Sequence, residues 1–167
     1  MNRIEDCISF LTGKAAQAVT RAARDRLARH GVTPVQYAVL QLLWEEDGQS
    51  GAAIGTRLVL DSATITGVID RLVKLELIAR RPSARDRRVN ALHLTDRGLA
   101  LRGPLQAEMD ALNADVDAAL GGPAAEELKS LLRRIAAAPS RKELAEICSS
   151  RPRSRWWCAM ILPCGKN

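Results

Sequence analysis

At 167 residues with a formal net charge of +6, the chain has room for one well-packed domain and too little for two ordinary ones in tandem. Hydrophobic residues make up 47% but aromatics only 3%, and Ala, Leu, Val and Ile dominate, so helices packed on helices are expected rather than a sheet-rich fold. No apolar run approaches a membrane span, Glu5 and Asp6 are unlike a secretory signal, and Cys7, Cys148, Cys158 and Cys164 lack the spacing of a disulfide framework, so a reducing cytoplasm is expected.

Apolar or small residues at Ile4, Ile8, Leu11, Ala15, Val19, Ala22 and Ala23 predict an amphipathic helix over residues 4–29, with Arg21, Arg24, Arg26 and Arg29 on other faces and Gly31 ending it. Thr33 followed by Pro34 supplies an N-cap and a proline at the first helical position, and Tyr37, Leu40, Leu43 and Trp44 mark a second helix. Ser50 can cap a short third helix with Ile54 and Leu58 inward. Asp61 or Ser62 caps a fourth, whose apolar residues fall at 65, 68, 69, 72 and 75. Its opposite face carries Thr66, Gly67, Asp70, Arg71 and Lys74, with Thr64 at the N-terminal shoulder. Two short helices joined by a tight turn form a helix-turn-helix candidate.

After Leu77 the pattern changes to a strand from Ile78 to Arg81, an arginine-rich turn from Pro82 to Arg87, and a second strand from Val89 to Leu94. The cluster Arg80, Arg81, Arg85, Arg87 and Arg88 is a local positive patch suited to phosphates, although a solvated charged hairpin has the same composition. Thr95 then caps a long helix with Leu101, Leu105, Met109, Leu112, Val116 and Leu120 in register, which Pro104 is expected to bend near Leu101. Pro123 starts a further helix through Leu128, Leu131, Leu132 and Ile135, closed by Pro139. Residues 139–167 form a basic tail to which no fold is assigned, and an unstructured terminus is its simplest reading.

The expected fold is mainly α with a small β-hairpin wing: a winged helix-turn-helix over residues 33–97, flanked by an N-terminal dimerisation helix (1–32) and C-terminal dimerisation helices (98–138). The apolar stripes of the flanking helices are longer than the reader alone can cover, which points to a homodimer; packing over the reader within one chain is the alternative. In such folds the second helix of the pair enters the major groove, making Ser62, Thr64, Thr66, Arg71 and Lys74 candidate DNA contacts. Arg85, Arg87 and Arg88 have the charge to enter an adjacent minor groove, with Asp86 pairing to an arginine and shaping the loop.

Thr33-Pro34-Val35-Gln36-Tyr37, Asp61-Ser62-Ala63-Thr64-Ile65-Thr66, Ile69-Asp70-Arg71-Leu72 and Asp86-Arg87-Arg88 leading to Leu94-Thr95-Asp96-Arg97-Gly98 together resemble the MarR family of transcriptional regulators. The resemblance implies a dimer on a palindromic duplex, with each recognition helix in a major groove and each wing tip in a minor groove. Arg88 would then be the inserted wing residue and Asp86 its orienting partner. It implies a repressor released by a small aromatic or phenolic effector, which makes Tyr37 and Trp44 pocket candidates, although their spacing also suits a core pair. Val59 stands where the turn between the reader helices commonly has glycine.

A cysteine-based redox sensor is a further alternative, with Cys7 near the position where related regulators carry a reactive thiol. His30 and His93 lie far apart and no Cys or His pair has ligand spacing, so neither metal nor cofactor is expected. Neither a Gly-rich phosphate loop nor a nucleophile and base pair is recognisable, so catalysis is not expected. The rival from another class is a winged-helix module for protein assembly without DNA contact.

Overall fold

The computed structural model describes residues 3–82 and 90–137. The expected loop residues Arg85, Asp86, Arg87 and Arg88 and the basic tail lie outside the described residues. The chain divides into two compact units, Met1–Ala119 and Leu120–Asn167.

The first unit opens on a single 3-10 turn, Ile4–Asp6, after which Cys7 takes extended backbone and α1 runs from Ile8 to Leu27. The helix therefore starts four residues later than its periodicity suggested, because the extended backbone at Cys7 interrupts it. A second 3-10 turn, Ala28–His30, leads to Gly31 at φ 70. Thr33 caps α2 (Pro34–Glu45) in a reciprocal capping box: Gln36 N donates to Thr33 Oγ1 at 3.4 Å and Thr33 N donates to Gln36 Oε1 at 2.8 Å. Ser50 caps α3 (Gly51–Leu58) and Asp61 caps α4 (Ser62–Lys74).

Three helical segments end in the same way. Val32, Leu60 and Leu77 each donate a backbone N–H five residues back, to Leu27, Gly55 and Leu72, and the residue before each, Gly31, Val59 or Glu76, is left-handed. Only the first is a glycine. Val59 holds φ 55 with its side chain 91% exposed, so the turn between α3 and α4 carries a β-branched residue in a conformation that costs about 1–2 kcal/mol and no packing offsets it.

The sheet has three antiparallel strands in the order β1 (Gln49–Ser50), β3 (Asn90–Leu94), β2 (Ile78–Pro82). The hairpin register pairs Ile78 with Leu94 and Arg80 with Leu92, and β1 adds Gln49 opposite Leu92. The sequence reading missed β1, which is too short to show any periodicity and exists only as a partner for β3. It is held there by Asp47, whose carboxylate accepts from Leu94 N at 2.9 Å and lies 2.7 Å from His93 Nδ1.

The helix expected to bend near Leu101 is divided there, into α5 (Asp96–Ala100) and α6 (Arg102–Leu120). Pro104 thus falls in the first turn of α6, where a missing N–H costs little. Leu27, Leu40, Leu43, Ile54, Leu72 and Leu105 are among the fully buried side chains, so α1, α2, α3, α4 and α6 all reach one core. Arg26 of α1 bonds Asp115 and lies 3.7 Å from Glu108, both on α6, and Glu108 also accepts from Arg29 at 3.2 Å.

The junction of α4, the hairpin and α5 is closely packed and densely hydrogen-bonded. Thr95 N donates to Leu77 O at 3.2 Å and Thr95 Oγ1 to Glu76 O at 2.6 Å, while Gly98 N donates to Thr95 Oγ1 and Trp44 Nε1 to Gly98 O, each at 3.1 Å. A β-carbon on Gly98 would stand 2.1 Å from the Leu77 oxygen. In the second unit, α7 (Gly122–Ala137) exposes Leu128, Leu131, Leu132 and Ile135 along its length.

Two substitutions test this account by equilibrium urea unfolding. Val59→Gly is expected to stabilise the protein by about 1 kcal/mol, as the strain at φ 55 outweighs the entropy of the added glycine. Gly98→Ala is expected to destabilise it by about 3 kcal/mol, since backbone and not a yielding side chain occupies the space. An unchanged midpoint in either variant would contradict the corresponding reading.

Candidate nucleic-acid interface

The buried side of α4 is Ile65, Val68, Ile69 and Leu72, which fixes what faces outward. Thr66, Asp70 and Lys74 make one outward stripe and Thr64, Gly67 and Arg71 the next, with Ser62 exposed at the helix start. All of the expected α4 contacts, Ser62, Thr64, Thr66, Arg71 and Lys74, are therefore brought to solvent on one helix. Among the described residues, neither Arg71 nor Lys74 has a hydrogen-bonded or ion-pair partner.

The threonines are less free than the cations. Asp61 Oδ1 accepts from Thr64 N at 2.8 Å and Oδ2 from Thr64 Oγ1 at 2.6 Å, while Thr66 Oγ1 donates to Ser62 O at 2.7 Å. The Thr64 hydroxyl, and after it the Thr64 N–H, holds the Asp61 carboxyl below the usual aspartate range. Both hydroxyl protons are thus engaged inside the helix. What the threonines offer outward is acceptor lone pairs and methyl groups, suited to base amino groups and to the thymine methyl.

One carboxylate shares this face, and sequence reasoning did not use it: Asp70 Oδ1 accepts from Arg80 Nη2 at 2.6 Å, tying α4 to β2. A lone acid among outward cations was the available signal. Gly67 has no atom within 4 Å of the place a β-carbon would take, so no packing within the unit calls for a glycine there.

Away from α4, Tyr37 and Trp44 come together as an edge-on pair, ring centroids 6.1 Å apart at 66°. Trp44 is buried and bonds Gly98 O; Tyr37 is half-buried, and its hydroxyl lies 3.4 Å from Gln41 Oε1. Burial, with Asp110 adding its charge, pushes the Tyr37 phenol above its ordinary value. Cys7 sits at the N-cap of α1 with Sγ 3.1 Å from Ser9 Oγ, and that hydroxyl, followed by the Phe10 and Ser9 N–H groups, lowers its thiol pKa. His30 Nε2 is 3.6 Å from Glu108, and among the described residues no three potential ligands cluster around a metal-sized space. No single described helix is long and apolar enough to cross a membrane.

Residues 32–89 match the model of the MarR family. The HTH-type transcriptional regulator TtmR of Methylorubrum extorquens is 38% identical over 133 residues, covering 80% of this chain and 66% of that protein. The organic hydroperoxide resistance transcriptional regulator of Bacillus subtilis is 31% identical over 60% of this chain and 68% of its own length. Among solved structures, the repressor CouR bound to a 23-mer DNA duplex superposes with a TM-score of 0.72 at 28% identity, covering 81% of this chain and 96% of that one. CouR of Rhodococcus jostii bound to p-coumaroyl-CoA gives 0.73 at 25%, covering 83% and 98%.

Gly67 provides a test with opposite signs. Gly67→Ala is expected to stabilise the helix by about 1 kcal/mol, read as a higher urea midpoint, because the added methyl meets open space. If α4 enters a groove, the same variant is expected to bind duplex DNA more weakly, since the added methyl would stand between the helix backbone and the DNA. Tighter binding together with higher stability would show that no groove closes on this face.

Proposed function

The chain belongs to the MarR family of transcriptional regulators, and from that we propose that it represses transcription as a homodimer on a palindromic operator. The observation that carries the reading is the outward face of α4, where Arg71 and Lys74 stand without partners among the described residues beside Ser62, Thr64 and Thr66. A helix presenting short polar side chains and unpaired cations is what a major groove accepts, with cations on phosphates setting register and the smaller groups meeting base edges.

Residues 33–97 serve as the reader, with Arg85, Arg87 and Arg88 supplying the minor-groove contact and Asp86 orienting them. Residues 1–32 and 98–138 serve as dimerisation helices. Support comes from α1 and α7, each of which leaves large apolar side chains exposed: Ile8, Leu11 and Val19 on the first, Leu131, Leu132 and Ile135 on the second. A small aromatic or phenolic acid is the proposed releasing effector, by analogy with CouR and its p-coumaroyl-CoA, with Tyr37 and Trp44 on the side of the reader that it contacts.

Purified protein is to be titrated against the DNA flanking its own gene, with unrelated duplex as competitor, over a salt series. Saturable, competitor-resistant binding is expected, with a steep salt dependence. Arg71→Ala and Lys74→Ala are each expected to lower the slope of log affinity against log salt by about 1.8 per bound dimer, about 0.9 for each protomer's cation, if the cation meets a phosphate, and Arg71→Ala to relax sequence preference if it meets a base. Binding with no preference over unrelated duplex would favour an assembly module instead.

A further inference from the structure

Asp70 presents a physical problem for a DNA-reading helix. It lies four residues from both Thr66 and Lys74, in the stripe that the proposed reading turns towards the duplex. A carboxylate there faces a polyanion and weakens binding unless its charge is paired or it accepts from a base amino group. In the free protein it is paired, at 2.6 Å, with Arg80 of β2. Both side chains keep substantial exposure, 51% for Asp70 and 39% for Arg80, so the pair lies at the surface and not in the core.

The place of Arg80 is as informative as its partner. It stands on the first strand of the hairpin, opposite Leu92, two residues beyond the buried Ile78, where the root of the hairpin meets the reader helix. With a helix in one major groove and a hairpin tip in the neighbouring minor groove, a single phosphodiester strand separates the two, and it must cross the corner between helix and hairpin root. A guanidinium carries five N–H donors in a rigid fork, of which the bond to Asp70 Oδ1 takes one.

We propose that Arg80 binds a phosphate of that intervening strand and that Asp70 is the positioning residue that holds the guanidinium in place. The proposal rests on the reading of α4 as the major-groove helix and adds two residues to it. Asp70 offsets its own unfavourable charge by fixing the direction of a cation that would otherwise sample many rotamers, and it locks the hairpin root to the reader so that both grooves are met in one register.

The test uses the full chain. A duplex is selected from a random pool by the wild-type protein, and then this duplex and an unrelated one are titrated over a salt series with wild type, Arg80→Gln, Asp70→Asn and the double variant. Arg80→Gln is expected to lower the salt slope by about 1.8 per bound dimer, about 0.9 for each protomer, and to weaken both duplexes equally. Asp70→Asn is expected to weaken the selected duplex several-fold and to lower the slope, although it removes a negative charge, and to cause no further loss when added to Arg80→Gln. Asp70→Glu, which keeps the charge, is expected to stay near wild type and serves as the second variant should Asp70→Asn melt early.

An Asp70→Asn variant that binds both duplexes more tightly would overturn the positioning role, leaving simple repulsion. One that changes preference at a single base pair with the slope intact would make Asp70 a base reader and overturn it equally. An unchanged slope in Arg80→Gln would remove the phosphate contact. A wild-type protein that enriches no sequence would overturn the reading of α4 itself, and this inference with it.

Discussion

The Leu77 carbonyl and the α-carbon of Gly98 meet with no room for a β-carbon between them. On this contact the geometry of the reader depends. The return bond from Leu77 to Leu72, five residues back, ends α4, Thr95 closes the strand pair and caps α5, and Trp44 of α2 donates its indole N–H to Gly98. One point therefore fixes the end of the outward-facing helix, the root of the hairpin and the start of the segment leading into α6. Every polar group in it has a partner, which matters because an unsatisfied buried donor costs about 1–3 kcal/mol in a fold whose whole stability is about 5–15 kcal/mol.

Charge is distributed so that different faces do different work. On α6 the acids Glu108 and Asp115 are engaged by Arg26 and Arg29 from the end of α1 and its following turn, which ties α1 to α6. On α4 the acid Asp61 is turned inward to its own helix start and Asp70 is covered by Arg80, leaving Arg71 and Lys74 without partners among the described residues. Exposed pairs of this kind contribute about 0–1 kcal/mol each to stability. Their consequence is positional: they decide which cations remain available to an anionic partner and where those cations point.

The apolar surplus follows the same division. The fully buried residues cluster around the helix-turn-helix, the C-terminal end of α1 and α6, while the rest of α1 and α7 each keep large aliphatic side chains in contact with water. At about 25 cal/mol for each Å² of apolar surface, covering such stripes is a substantial driving force for association.

Much of this was legible in the residues themselves. The helix starts at Pro34, Gly51, Ser62 and Asp96 are written as local chemistry, since a Thr, Ser or Asp that caps the first turn acts within three residues of itself. The outward set on α4 follows from the 3.6-residue repeat once Ile65, Val68, Ile69 and Leu72 are known to turn inward. Family motifs identified the same segment, which is why fold class and regulator function are legible in the sequence. Long-range pairings were not. The two-residue strand β1, the Asp47 bond to β3, the Glu108 cluster and the Asp70–Arg80 pair join residues ten to nearly ninety positions apart. Local sequence determines where backbone turns begin and which face of each helix is oily, because those depend on neighbours within one turn; which charge meets which, and how close two backbones come, is decided only when the core has packed and brought distant segments within a few ångströms.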